Sequence, residues 1–96
     1  MRVIDFLQFI KDFDKKIPFY YQLADEEKLV VTGIVEAPNQ LVIETKKAKS
    51  HPLHQWELLT LLNVLNDKTK PVVIKIDQTV KPLYGMQITP DLILLR

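Results

Sequence analysis

Residues 3–13 of the chain read VIDFLQFIKDF, and residues 55–65 read QWELLTLLNVL. In both stretches apolar residues recur at spacings of three and four, which predicts an amphipathic helix. Pro18 follows the first stretch and Pro71 the second, and a proline disfavours helical geometry at the residue before it. The apolar side of each predicted helix, including Phe9 and Trp56, is expected to face a core.

Six further segments are predicted as strands, because they are rich in β-branched and aromatic residues or alternate apolar with polar side chains. They are residues 19–23, 29–35, 41–46, 72–80, 83–89 and 92–95. The sequence therefore predicts an α+β fold, with a mostly antiparallel six-stranded sheet and two helices packed on one face. Ser50 is expected to cap the second helix.

The order of these elements suggests a tandem αβββ-αβββ duplication. An offset of 52 residues places Ile4 on Trp56 and Gly33 on Gly85, and it places an acid in the first turn of each helix. Two small gaps are needed, and any two αβββ segments allow some such alignment, so coincidence is the competing interpretation. Halves of this size do not usually fold alone. We therefore expect one domain, residues 1–96, built from half-repeats 3–47 and 52–96.

The composition excludes several classes of protein. Hydrophobic residues make up 47% of the chain and the formal net charge is +1, which excludes intrinsic disorder and gives no sign of a generally basic nucleic-acid binder. The absence of cysteine excludes disulfides and thiolate metal sites, and two glycines are too few for a glycine-rich phosphate loop. No cofactor is expected. The apolar runs are too short for a membrane span, and a cytoplasmic location is the default expectation.

Charge is divided unevenly along the chain. Residues 1–45 carry 5 basic and 8 acidic side chains, net −3, whereas residues 46–96 carry 8 basic and 4 acidic ones, net +4. A basic connector before the second helix is a candidate site for an anion or nucleic acid, although such loops are usually only solvated. The candidate residues are Lys46, Lys47, Lys49, His51, His54 and Lys75. The spacing of the two histidines is only a weak indication of a metal site, and no metal ligand is assigned.

The last segment is apolar on both faces, so it is either a central strand or an edge that pairs with another chain. Candidate interface residues are Tyr20, Leu92, Ile93, Leu94 and Leu95. Because no catalytic motif is found, the leading hypothesis is a non-catalytic interaction module. It is expected to form a homodimer and to bind a protein partner through its sheet face or edge. The alternative is nucleic-acid or anion binding through the basic second half, and a third hypothesis is a small enzyme that uses His51 or His54.

Overall fold

Two helices and seven strands form the fold in the computed structural model, which describes residues 1–24, 27–47 and 49–96. Ala48 of the predicted connector lies outside the described residues. The helices are α1 (Val3–Ile10) and α2 (Gln55–Asn63). The strands are β1 (Phe19–Gln22), β2 (Lys28–Glu36), β3 (Leu41–Lys46), β4 (Val72–Ile76), β5 (Thr79–Pro82), β6 (Met86–Ile88) and β7 (Ile93–Leu95).

Both helices begin with the same kind of cap. The backbone N–H of Arg2 donates to Asp5 Oδ2 at 3.1 Å, and the backbone N–H of His54 donates to Glu57 Oε1 at 3.1 Å. In each case a carboxylate at the third helical position satisfies a donor that the helix itself leaves unpaired. The prediction that Ser50 caps the second helix is wrong, because the N-cap is His54, four residues later, and α2 begins at Gln55.

The strands form one mixed sheet in the order β5-β4-β3-β2-β1-β7-β6, so the predicted sheet, six-stranded and mostly antiparallel, is corrected to seven strands. Two of its pairings, β3 with β4 and β1 with β7, are parallel. The extra strand arises because residues 72–80 do not form a single strand. The chain reverses at Asp77 and Gln78, where Asp77 has φ 54° and Ile76 pairs with Thr79. Aspartate tolerates this left-handed region better than most residues, but periodicity alone does not reveal such a turn.

The sheet bends into a half-barrel, and its two edge strands follow one another in the chain. Its curvature is marked by a β-bulge in β2, where the register shifts between Val31 and Gly33. A bulge increases the local twist and bends the strand. The corresponding stretch of the second half is interrupted altogether, since residues 83–85 separate β5 from β6. Gly85 lies in this interruption and donates its N–H to the carbonyl of Arg96 at 2.9 Å.

Both helices pack against the same face of this half-barrel and share one hydrophobic core with it. Phe6 of α1 meets Phe19 of β1 edge to face, with ring centroids 6.4 Å apart, which is a favoured aromatic geometry. Fully buried aliphatic side chains belong to the same core cluster as this pair. They are Val3, Ile10, Val31, Leu41, Ile43, Leu58, Leu62, Ile74, Ile93 and Leu95.

Strand pairings in residues 3–47 resemble those in residues 52–96, at offsets of 52 or 53 residues. Phe19 pairs with Ile93 in parallel, and Leu41 pairs with Val72 in parallel. Each of these contacts joins the first strand of one half to the last strand of the other. The antiparallel pairs correspond in the same way. Tyr20–Val30 corresponds to Val73–Pro82, and Tyr21–Leu29 corresponds to Ile74–Lys81. Val35–Val42 corresponds to Gln87–Leu94, and the isolated bridge Pro18–His54 corresponds to the bridge Arg2–Pro71.

Candidate interaction surfaces

The solvent-facing sides of α1 and α2 expose four large apolar side chains. Ile4 is 41% exposed, Phe9 54%, Trp56 53% and Leu61 38%. They form two pairs at the offset of 52, Ile4 with Trp56 and Phe9 with Leu61. We call these four residues the helix surface. The prediction that Phe9 and Trp56 face the core is therefore wrong, because each short helix buries only the side turned towards the half-barrel.

The two halves of the helix surface lie together on one side of the molecule. The start of α2 lies beside the end of α1, where the Gln55 side chain donates to the Ile10 carbonyl at 2.8 Å. The start of α1 lies in turn beside the segment that follows α2, where Val3 donates its N–H to the Lys70 carbonyl at 2.9 Å. Since both helices pack against one face of the sheet, their outward sides point away from it together.

Little apolar area is open on the outer face of the sheet. Val30, Val42, Val73 and Leu94 point outward by strand alternation, yet all four are buried. Val35 and Val80 are the exposed apolar side chains of this face, at 47% and 44%. Charged side chains lie close to both valines. Glu44 and Lys75, which are paired across β3 and β4, line the same shallow depression as Val35 and Val80.

The predicted interface residues lie mostly inside the fold. β7 is flanked by β1 and β6, so it is an inner strand rather than an edge. Ile93 and Leu95 are fully buried in the core, and Tyr20 and Leu92 are partly buried. Leu94 points outward, but only 7% of its surface is exposed to solvent. The structure therefore brings Tyr20 and Leu94 together, as direct neighbours in the parallel pair, but offers little of either to a partner.

The two strand edges are short. β6 has three residues, and β5 has four, ending in Lys81 and Pro82. A lysine and a proline on an edge strand oppose pairing with another chain, because one adds charge and the other lacks an N–H donor.

Three of the predicted anion-binding residues converge on one shallow cleft at the ends of β3 and β4. Lys46, Lys47 and Lys75 line it together with the acidic residues Glu44 and Asp77. The cleft is thus of mixed charge rather than purely basic.

The remaining candidates lie apart from this lining. Lys49 and His51 are exposed in the segment that leads to α2. His54 is the N-cap of α2, and its Nδ1 lies 2.8 Å from Glu57 Oε1. The hydrogen bond to the His54 side chain, and next the one from its backbone, lower the pKa of Glu57. A carboxylate of this chain therefore already occupies the cap where an anion was predicted to bind.

Within the described stretches, no three His, Asp or Glu side chains come together as a possible metal site. Nor does that part of the chain contain a helix with the length and apolar character needed to cross a bilayer.

Sequence reasoning missed the helix surface, although a signal for it was present. Six of the eight residues of α1 are apolar, too many for the single side that a helix turns to a sheet. The surplus apolar residues lie at equivalent positions in the two helices, Ile4 with Trp56 and Phe9 with Leu61, at an offset of 52. In comparisons with known proteins, no family model, curated protein or solved structure matches the chain.

Proposed function

We propose that this chain is a non-catalytic interaction module that self-associates through its helix surface. The observation that carries the proposal is the paired exposure of Ile4, Phe9, Trp56 and Leu61. Large apolar side chains are costly to leave in water, and aromatic residues are enriched at the centres of protein interfaces. Exposure of four such residues on one side of a 96-residue chain is typical of a docking surface.

The competing routes to a protein partner have weaker support. Sheet augmentation needs a free edge, and the edges here are short, with Lys81 and Pro82 on β5. The outer sheet face offers chiefly Val35 and Val80, beside charged neighbours. The proposal therefore moves the expected contact from the sheet to the helices.

The non-catalytic part of the proposal rests on how the histidines are used. His54 holds the Glu57 carboxylate at a helix cap, where both groups have a structural task. His51 lies exposed in a connecting segment. We keep the cytoplasm as the proposed location, because a chain without cysteine needs no oxidising compartment.

We also propose that the chain arose by tandem duplication of an αβββ unit. The recurrence of the strand pairings supports this, as do the matched caps Arg2–Asp5 and His54–Glu57. Each parallel contact joins one half to the other, so a single unit would complete its sheet only by pairing with a second copy. An ancestral homodimer fused into one chain accounts for that arrangement.

Self-association is tested by measuring molar mass by light scattering during gel filtration, from about 1 µM to about 1 mM protein, the range of weak to moderate affinities. We expect the wild type to form a dimer. The double variant Phe9→Ser, Leu61→Ser should raise its dissociation constant at least about tenfold, which requires the two exposed side chains together to contribute only about 1.4 kcal/mol.

The matched control is Val35→Ser with Val80→Ser, which removes two apolar side chains of similar exposure from the outer sheet face. It should dimerise like the wild type. A wild-type chain that stays monomeric up to about 1 mM contradicts the proposal.

A second candidate function, anion or nucleic-acid binding, is favoured by the convergence of Lys46, Lys47 and Lys75 on one cleft. Its test is retention on heparin at low salt, which should fall as salt displaces the contacts. Lys46→Gln with Lys75→Gln should weaken retention, while Lys16→Gln with Lys81→Gln, two exposed lysines outside the cleft lining, should not. Equal weakening by both pairs points to diffuse charge and removes the cleft as a site.

A further inference from the structure

We infer that the occupant of the helix surface is a second copy of this chain, docked across a two-fold axis so that both α1 and α2 of each copy lie in the contact. The inference rests on the proposed self-association and adds the symmetry and the geometry of the contact.

The first argument is the internal symmetry of the surface. Ile4 and Trp56 occupy equivalent positions, and so do Phe9 and Leu61, on helices that lie side by side against one sheet face. A partner that covers both helices in the same way must itself present two equivalent sets of contacts. A second copy of this chain presents them by construction, and a two-fold contact uses the same patch on both partners.

The second argument is the area available. A buried aromatic side chain covers about 150–250 Å², so one exposed by half offers roughly 100 Å². Phe9 and Trp56 are each about half exposed, and Ile4 and Leu61 contribute smaller amounts. The four together offer roughly 350 Å², a large share of the apolar part of a standard interface of about 800 Å² per partner.

The third argument is that the contact buries few unpaired charges. The outward positions between the apolar side chains include the neutral residues Gln8 and Thr60. Of the carboxylates on these helices, Asp5 forms an ion pair with Arg2 at 3.2 Å, and Glu57 accepts a hydrogen bond from the His54 backbone N–H at 3.1 Å. Burial of paired charges costs less than burial of isolated ones. A contact through these positions therefore buries hydrogen-bonded carboxylates rather than isolated ones.

The experiment uses the absence of cysteine, which makes every introduced thiol a unique reporter. Gln8→Cys and Thr60→Cys place one thiol on each helix at equivalent, exposed positions. Val35→Cys and Gln87→Cys place matched thiols on the outer sheet face, also at the offset of 52. The labelling rate of each full-length variant is measured with a maleimide at concentrations where light scattering shows dimer and monomer.

At about 90% dimer we expect the labelling rates at positions 8 and 60 to fall roughly tenfold relative to the monomer, by mass action, while those at 35 and 87 change less than about twofold. Trp56, the sole tryptophan, should shift its emission to shorter wavelength over the same concentration range. Protection at only one of positions 8 and 60, or protection at 35 and 87, overturns the two-fold helix contact although the chain self-associates. A monomer at every concentration overturns the proposed function itself.

Discussion

Asp77 is the non-glycine residue with a positive φ in the described part of the chain, and it forms the first corner of the β4–β5 hairpin. A side chain in the left-handed region strains the backbone by roughly 1–2 kcal/mol, somewhat less for aspartate, whereas glycine adopts it freely. We expect Asp77→Gly to raise the free energy of unfolding by about 0.5–1 kcal/mol, part of the gain being offset by the entropy of glycine in the unfolded chain. Urea denaturation followed by circular dichroism measures this.

The control is Asp91→Gly, at another exposed aspartate in a bend, where φ is not positive. There the glycine adds freedom to the unfolded chain without relieving strain, and stability should fall by up to about 1 kcal/mol. If both variants lose stability alike, strain at Asp77 is not significant.

The burial of Gln55 and the exposure of Trp56 could not be predicted from the sequence. Gln55 is the buried polar residue among the described residues, with 2% of its surface exposed. The apolar periodicity of α2 predicts that it lies on the solvent-facing side of the helix. Its amide supplies a donor to the carbonyl at the end of α1, a contact 45 residues away. Trp56, its neighbour, is half exposed. From hydrophobicity alone, Trp56 is expected to be buried and Gln55 exposed. The packing of α2 beside α1 produces the opposite arrangement.

The carboxylate caps set the pH dependence of the helices. Hydrogen bonds to the His54 side chain and then to its backbone lower the pKa of Glu57 in the folded chain. As pH falls, the unfolded chain takes up this proton first, so stability that is present above the unfolded pKa of about 4.3 is lost as pH falls through the folded value. Stability should therefore decrease in acid, by roughly a few tenths of a kcal/mol from this group, because its exposure allows solvent screening.

Glu57→Gln isolates this contribution, since glutamine keeps an oxygen acceptor for the His54 N–H but does not titrate. We expect the loss of unfolding free energy between pH 7 and pH 3 to be smaller in this variant than in the wild type. Chemical denaturation at the two pH values checks it. Asp12→Asn removes an exposed carboxylate just beyond the end of α1, away from both caps, and should leave the acid loss closer to that of the wild type. An acid loss in Glu57→Gln equal to that of the wild type contradicts the assignment.

At the scale of elements, periodicity located both helices and most strands, because a half-buried element repeats its apolar side at a fixed period. It did not separate β4 from β5, since alternation continues through the turn: Ile76 and Val80 keep the pattern on either side of Asp77. The cleft lined by Lys46, Lys47 and Lys75 was predicted only as a list of candidate residues. Lys75 joins Lys46 through the parallel pairing of β3 and β4, a long-range contact that no local pattern encodes.

At the scale of the whole molecule, the parallel pairings interlock the two halves. β3 of the first half pairs with β4 of the second, and β7 of the second pairs with β1 of the first. Neither half can separate without losing strand neighbours on two sides. The core is correspondingly one cluster that draws side chains from both helices and both sets of strands. Such a molecule should unfold as a single cooperative unit.

Two substitutions of one methyl group each test this unity, Ile10→Val in the first half and Ile74→Val in the second, both at fully buried positions. Each should lower the free energy of unfolding by about 0.5–1.5 kcal/mol, the usual cost of removing one buried methyl group. Trp56 fluorescence reports the second half, and far-ultraviolet circular dichroism reports the whole chain. Because the halves share one core, Ile10→Val should move the urea midpoint of both signals together, as Ile74→Val should. A Trp56 transition unmoved by Ile10→Val would show that the halves unfold independently, despite the strands that join them.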